Sequence, residues 1–463
     1  MNDRFLRAMN DLQPRVPRVR GKVEICSLSQ RMQEAATPGA SVSLVDDFEI
    51  RHARGFGLRA EGGMLEVTPT TAFQVGSISK LVFATAVVRL AQDGVLDLDH
   101  DVNAYLKTWR VPSCGAWTPR ITLRHLLTHT AGTTVHGFAG YPTTGPWPVV
   151  QQVLDGVEPA NSAPVFVSGL PGLQFQYSGG GTMIAQQAII DLMNESFPEL
   201  MDKLVFKPLG MTRSSYEQPL SAHLATNAAR GHSWNGTGIP GGWHVYPEMA
   251  AAGLWTTAED LAKLAIDFIR AWRGDASALG LSQENARMML RSPRSEQDRE
   301  YVGVGWFCSH DSGVLRCGHR GDNWGFVAEM ALYPALGKGA VVLLNSNQGS
   351  PLRTEILDAL GRAYDWPEAI SADPDPLIGR DKDYSGSYRD ESGRTLSIEQ
   401  ADGAIELKFD QQPALSLFPG RGGKFLTELL DLKIDFRTSA EGQITHAILI
   451  QGLGTTVFQK EVG

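Results

Sequence analysis

Cysteine is scarce in this sequence: 4 residues among 463, at Cys26, Cys114, Cys308 and Cys317. None is spaced C-x-x-C, which argues against a zinc or redox motif. The thiols read as free structural ones in a reducing compartment. Positive charge is also in deficit. Lys and Arg number 42 against 51 Asp and Glu, a formal net charge of -9. That balance argues against nucleic acid or an anionic membrane as partner. No run approaches the roughly 20 apolar residues of a membrane span. The N-terminus, "MNDRFLRAMNDLQPRVPRVRGK", has no apolar h-region of a signal peptide. The expectation is a cytoplasmic protein, or a periplasmic one if this N-terminus is truncated. His232 and His244 lack ligand spacing and read as loop residues, so no metal and no cofactor are expected. Repeats and low-complexity tracts are missing too.

What is present is the composition of a globular protein, 42% apolar and 20% charged. The chain is too long for one ordinary core, so a large domain and a smaller one are expected. "PGASVSLVDD" reads as a short strand with "EIRHARGFGL" as its partner. Helical periodicity begins at Ser77. "ITLRHLLTHTAG" predicts a helix running to a glycine cap at Gly132. The Pro- and Gly-rich stretch from Ala139 to Gly172 reads as a long ordered loop around a site. Amphipathic helices are predicted over Gly181–Asn194 and Thr257–Trp272, the second capped by Thr256 or Thr257. Strands with Gly-rich turns fill Val302–Asn347, and a last helix covers Leu352–Tyr364. Strands at both ends with helices between predict an α+β domain: an antiparallel sheet flanked by helices, with a mainly helical subdomain. "SADPDPLIG" (Ser371–Gly379) reads as a linker. Everything after it alternates like a meander, predicting a small C-terminal all-β barrel. The expected division is 1–370, a linker at 371–379, and a lipocalin-like barrel at 380–463.

A strand register can be read within the sheet. If Ser312 and Gly313 form a two-residue turn, counting outward places Cys308 opposite Cys317, with Ser309 opposite Arg316. The two thiols are then adjacent, and reduced if the protein is cytosolic.

Three short stretches carry candidate chemistry. In "FQVGSISKLVF", Ser77 and Lys80 are three apart at a helix start, so both fall on one face. Serine is a poor nucleophile until a neighbour takes its proton, and the helix N-terminus favours an alkoxide. The plain alternative is that Ser77 or Ser79 caps the helix and Lys80 is solvated. In "FQYSGGG", Tyr177 precedes a flexible glycine run and could shuttle a proton. In "CGHRGDNWGF", alternation sends His319 and Gly321 to one face and Arg320 to the other. Gly321 allows close approach of a substrate to the backbone.

In this order the three motifs resemble the serine β-lactamase and penicillin-binding family, in the branch holding class C β-lactamases, DD-peptidases, D-aminopeptidases and esterases. The family pattern is SxxK, Tyr-x-Asn, then Lys/His-x-Gly. Here it reads Ser77-Ile-Ser-Lys80, Tyr177-Ser-Gly179 and His319-Arg-Gly321. "ITLRHLLTHTAG", "PEMAAAGLWTTAEDLAKL" and "YVGVGWF" support it, and the resemblance spans about Ala36 to Gly349. It implies a β-lactamase-like fold, Ser77 as nucleophile, and Lys80 with Tyr177 as the proton-handling pair. Which of those two is the acylation base stays open. The oxyanion hole would be the backbone N–H groups of Ser77 and Asp322. His129 falls in a family hallmark and reads as structural.

Two positions depart from the pattern. Gly179 replaces an Asn whose amide would bind a substrate carbonyl. His319 replaces a permanent cation with a titratable group. Both argue against a substrate held by its carboxylate. The expected function is a serine hydrolase working through an acyl-enzyme on an ester or a D-amino-acid amide or short peptide. The alternatives are a DD-peptidase or weak β-lactamase, and a penicillin-binding sensor that acylates without turnover. The sequence does not set the oligomeric state.

Overall fold

Apolar alternation and β-branched residues make Gly39–Asp46 (β1) a strand, and Glu49–Gly57 (β2) returns beside it. The computed structural model describes residues 3–14, 22–293, 295, 300–310, 313–367, 383–401, 404–410, 412–420, 424–427, 432–439, 441–451 and 454–461. Their contacts divide the chain into two units, Ser29–Leu357, and Met1–Leu28 with Asp358–Gly463. The segment expected to be a linker, 371–379, lies outside the described residues.

In the larger unit a two-residue strand Phe73–Gln74 (β3) pairs with Trp255–Thr256 (β4). The other strands of the unit are Glu300–Val302 (β5), Phe307–Ser309 (β6), Arg316–Asn323 (β7), Phe326–Tyr333 (β8) and Lys338–Leu344 (β9). They form one antiparallel sheet of order β2-β1-β9-β8-β7-β6-β5. The predicted register is found: Cys308 faces Cys317 and Ser309 faces Arg316. Both thiols are free and buried. The turn residues Asp311 and Ser312 lie outside the described residues.

Helix Ile78–Gln92 (α1) is buried on nearly every side, as its continuous apolar sequence requires. It packs against β7 and β8. Each fully buried Leu, Val or Phe contributes about 1.5–3 kcal/mol relative to exposure, so this helix is a stiff base for whatever stands at its N-terminus. Helix Ala258–Arg273 (α4) is amphipathic instead. Thr257 caps it by accepting from the Asp260 amide, and its buried face lies against β1, β2 and β9. Between these two, Gly179–Met193 (α2) starts two residues earlier than periodicity suggests, capped by Ser178. The short Met249–Ala252 turn of helix (α3) packs against both α1 and α2.

One predicted helix is much shorter than expected. "ITLRHLLTHTAG" is helical only over Leu123–Leu127. Thr128 bonds back to the Arg124 carbonyl, and His129 then turns to φ 55. The apolar spacing continues, but the chain leaves the helix there. Gly132 sits in an irregular segment at φ 66 rather than at a helix cap.

The smaller unit holds eight strands: Gly386–Arg389, Thr395–Ala401, Ala404–Phe409, Leu415–Pro419, Phe425–Thr427, Leu432–Thr438, Ile444–Gln451 and Gly454–Lys460. Each pairs antiparallel with the next, and the last closes on the first through Tyr388 opposite Lys460. The predicted barrel is therefore closed. Its mainly aliphatic core holds an aromatic cluster, in which Tyr384, Phe425 and Phe436 meet with ring centroids 4.7–5.5 Å apart.

Candidate active site

Pairing of β3 with β4 delivers the chain to Gly76, whose positive φ of 46 swings it into α1. A side chain at Gly76 would meet the Asp322 backbone nitrogen at 2.7 Å. One at Gly321 would meet the Val75 carbonyl at 1.9 Å and the Ser77 nitrogen at 2.8 Å. Glycine at both positions lets β7 press its backbone onto the start of α1. The amides of Ser77 and Asp322 are thereby brought together at the helix N-terminus, where a developing negative oxygen is favoured.

Ser77 does not cap the helix with its side chain. Ser79 takes the local role, donating to the Gly76 carbonyl and accepting from the Leu254 amide. The Ser77 hydroxyl is left for Lys80, whose Nζ lies 2.9 Å from it and 2.7 Å from the Ala251 carbonyl. Lys80 is buried, and burial lowers its amine from the usual lysine range to about 7. The ammonium lies 5.0 Å from the centre of the Tyr177 ring.

Burial pushes the Tyr177 phenol's pKa up, and the neighbouring Ser77 side chain offsets only part of that rise. His129 sets the position of Tyr177. The His129 ring lies 4.4 Å from the Tyr177 ring, its Nδ1 accepts from the Ser178 amide, and its carbonyl accepts from the Gln176 amide. The main chain on both sides of Tyr177 is thus tied to one residue. This is why the chain leaves the helix at Thr128. His129 is buried and its pKa is held well below the ordinary histidine value, so it is neutral.

His319 lies on the cleft side of β7, 4.7 Å from Phe307 and 6.5 Å from Tyr177, centroid to centroid. Burial first, then the Lys80 charge, lower its pKa to about 3. A neutral imidazole has one N–H, and Nδ1 donates it to the Arg320 carbonyl. Nε2 is left as an acceptor. Arg320 points the other way, pairing with Glu329 at 3.0 Å, and Glu329 also binds Arg316. The Asp322 side chain lies on that same outer face and accepts from Arg353 at 2.8 Å. Gly179 is the first residue of α2, with the Phe138 ring against it.

Sequence reasoning did not single out several residues that hold this arrangement. Asn323 donates to Gln74 and to the Ala252 carbonyl, tying β7, β3 and α3 together. Gln186 accepts from the Ala250 amide and fixes α3 against α2. Glu248 is fully buried, and its carboxylate has little beyond the nearby Tyr141 hydroxyl and its own backbone to offset the loss of water. Burial raises its pKa to about 7. Gln74 and Asn323 sit inside the quoted motifs and were open to discovery. The Ala251 carbonyl carries no side-chain signal.

No helix among the described residues is long and apolar enough to cross a membrane. None of their His, Cys, Asp and Glu residues cluster in threes to hold a metal.

The family model described as Beta-lactamase matches residues 27–364. Protein flp of Staphylococcus aureus (strain N315) is 23% identical over 348 residues, 74% of this chain and 64% of that protein. The match thus spans less than two thirds of that relative's length. Among solved structures, the octameric penicillin-binding protein homologue from Pyrococcus abyssi is 23% identical, with a TM-score of 0.60. The alignment covers 93% of this chain and 98% of that one. A β-lactamase/D-alanine carboxypeptidase from Yersinia pestis, solved with citrate, is 20% identical. Its TM-score is 0.55, over 73% of this chain and 95% of that one. At these identities the solved structures speak to the fold.

Proposed function

The chain belongs to the beta-lactamase family, and from that premise we propose that it is a serine hydrolase acting through an acyl-enzyme. Its substrate is an ester, or a D-amino-acid amide or short peptide. The observation that carries this reading is the 2.9 Å contact between Ser77 Oγ and a lysine amine whose pKa is lowered to about 7. At neutral pH a large fraction of that amine is unprotonated and able to accept the serine proton.

Lys80 is the better acylation base of the two candidates, because burial lowers its pKa while it raises that of Tyr177. Ser77 Oγ adds to the carbonyl carbon as its proton passes to Lys80 Nζ. The carbonyl π electrons move onto the oxygen, which the Ser77 and Asp322 amides receive. Each such donor typically lowers the barrier by a few kcal/mol. Collapse of the tetrahedral intermediate breaks the bond to the alcohol or amine. The leaving group takes a proton from the Lys80 ammonium, relayed through the Tyr177 hydroxyl. Water then attacks the acyl-enzyme by the same route in reverse and releases the acid.

The choice of substrate class rests on His319 and Gly179. A neutral acceptor at the third motif offers a substrate carboxylate no charge-assisted hydrogen bond, and losing one typically costs about 1.5–3 kcal/mol. Arg320 does not replace it, since its guanidinium is turned to Glu329. Turnover of p-nitrophenyl acetate or a D-aminoacyl anilide should therefore exceed that of nitrocefin. Ser77→Ala serves as the blank, and a fluorophosphonate should label the peptide carrying Ser77. Labelling elsewhere, or full activity in Ser77→Ala, would remove the assignment. A nitrocefin kcat/KM above that of the ester, not improved further by His319→Lys, would reverse the substrate reading.

A further inference from the structure

The first three positions of α2 are glycines, and one passing segment explains all three. A side chain at Gly181 would meet Thr133 Oγ1 at 2.6 Å, one at Gly180 the Thr134 carbonyl at 2.7 Å, and one at Gly179 the Phe138 ring at 2.8 Å. The segment is held there by hydrogen bonds from Gly179 to the His136 carbonyl, Gly180 to the Val135 carbonyl, and Ser178 Oγ to the Thr134 carbonyl. His136 Nδ1 donates in return to the carbonyl of Tyr177. Val135 has a φ of 63, a conformation a β-branched residue adopts only under strain. Strain of this kind persists where the surroundings impose it, and it concentrates at functional sites.

The result is that the Phe138 ring occupies the space a side chain at position 179 would take, two residues along the chain from the proton-handling tyrosine. The same ring, with that of Phe166, lines a pocket of about 450 Å³ between this docked segment and the stretch 161–164. That volume lies in the range of small-molecule sites. We propose that Phe138 is the specificity-determining residue of the acyl side of the cleft. Its ring replaces a polar second-motif side chain with an apolar wall, and it partitions the cleft from the neighbouring pocket. The enzyme is thereby restricted to compact acyl groups. This inference rests on the serine hydrolase reading and refines it.

The test is an acyl-length series of p-nitrophenyl acetate, butanoate and octanoate with the full chain and with Phe138→Ala, Phe138→Leu, Gly179→Asn and the Phe138→Ala/Gly179→Asn pair. The octanoate-to-acetate ratio of kcat/KM should rise at least about tenfold in Phe138→Ala, with a smaller rise in Phe138→Leu. Gly179→Asn alone should lower turnover of every ester, because the new side chain meets the ring. Adding Phe138→Ala should recover most of that loss, a coupling that independent sites do not show. An unchanged ratio in both Phe138 variants, or additive effects in the pair, overturns the inference. So does a length dependence that appears only in an alcohol series of alkyl acetates. Fluorophosphonate labelling separates the two levels. Ser77 labelled with an unchanged ratio removes the inference alone, whereas Ser77 unlabelled removes the hydrolase reading and the inference with it.

Discussion

At the scale of single residues, the proposed chemistry turns on one amine kept out of water. Lys80 sits where its ammonium is poorly solvated and where a carbonyl and a hydroxyl are its hydrogen-bond partners. On the proposed mechanism the base is the unprotonated amine, so kcat/KM for an ester should rise with pH and reach half its plateau near 7. His319, with a pKa lowered to about 3, and His129, held well below the ordinary histidine range by burial, should add no inflection between pH 5 and 9. Lys80→Arg should abolish the rise and cost at least about a thousandfold in rate, because a guanidinium keeps its proton throughout. A wild-type profile flat between pH 5 and 9 would remove Lys80 from the role of base. The Ser77–Lys80 pair was legible from spacing alone, since i and i+3 share a helix face. Phe138 was not. It is 41 positions from Gly179, and only the docked segment brings the two together.

Elements matter here through how closely their backbones approach. The pressing of β7 onto the start of α1 requires glycine at 76 and 321, and the contact at Gly321 is with main-chain atoms that have nowhere to move. Gly321→Ala should separate the Ser77 and Asp322 amides. We expect a loss of at least about a hundredfold in kcat/KM, with destabilisation of about 1–3 kcal/mol from the forced fit. Urea denaturation and ester kinetics on the same variant would measure both. Full activity would mean the two amides do not act together. The alternation of His319, Arg320 and Gly321 was legible because a strand leaves a side chain no third direction. The helix predicted over Ile121–Gly132 was overextended for the complementary reason. Periodicity records which residues are apolar, and it does not register that His129 must leave the helix to hold Tyr177.

For the molecule as a whole, buried polar groups set how stability and reactivity respond to solution conditions. Glu248 has a pKa raised from 4.5 to about 7 by burial. Between those values the folded chain keeps a proton that the unfolded chain has lost, so its contribution to stability falls as pH rises through that window. Above it the penalty is at most about 3 kcal/mol. Glu248→Gln should therefore stabilise the protein at pH 8 and do little at pH 4.5, as read from urea midpoints. Equal effects at both pH values would refute this. Of the 4 cysteines, only Cys114 is exposed. A thiol reagent should titrate one group in the native protein and four after denaturation. More than one fast thiol would contradict the burial of Cys26, Cys308 and Cys317, and burial pushes up the pKa values of the last two. Their pairing was readable from the count of residues around a turn. The isolation of Glu248 was not, because it depends on what packs over it.

The amine of Lys80 is held by the carbonyl of Ala251, a group that every amino acid carries. A library that exchanges one side chain at a time passes over this position almost unseen. Insertion or deletion of a single residue between Glu248 and Gly253 should shift the carbonyl away and abolish ester turnover. The segment should therefore drift in composition over evolutionary time while its length stays constant.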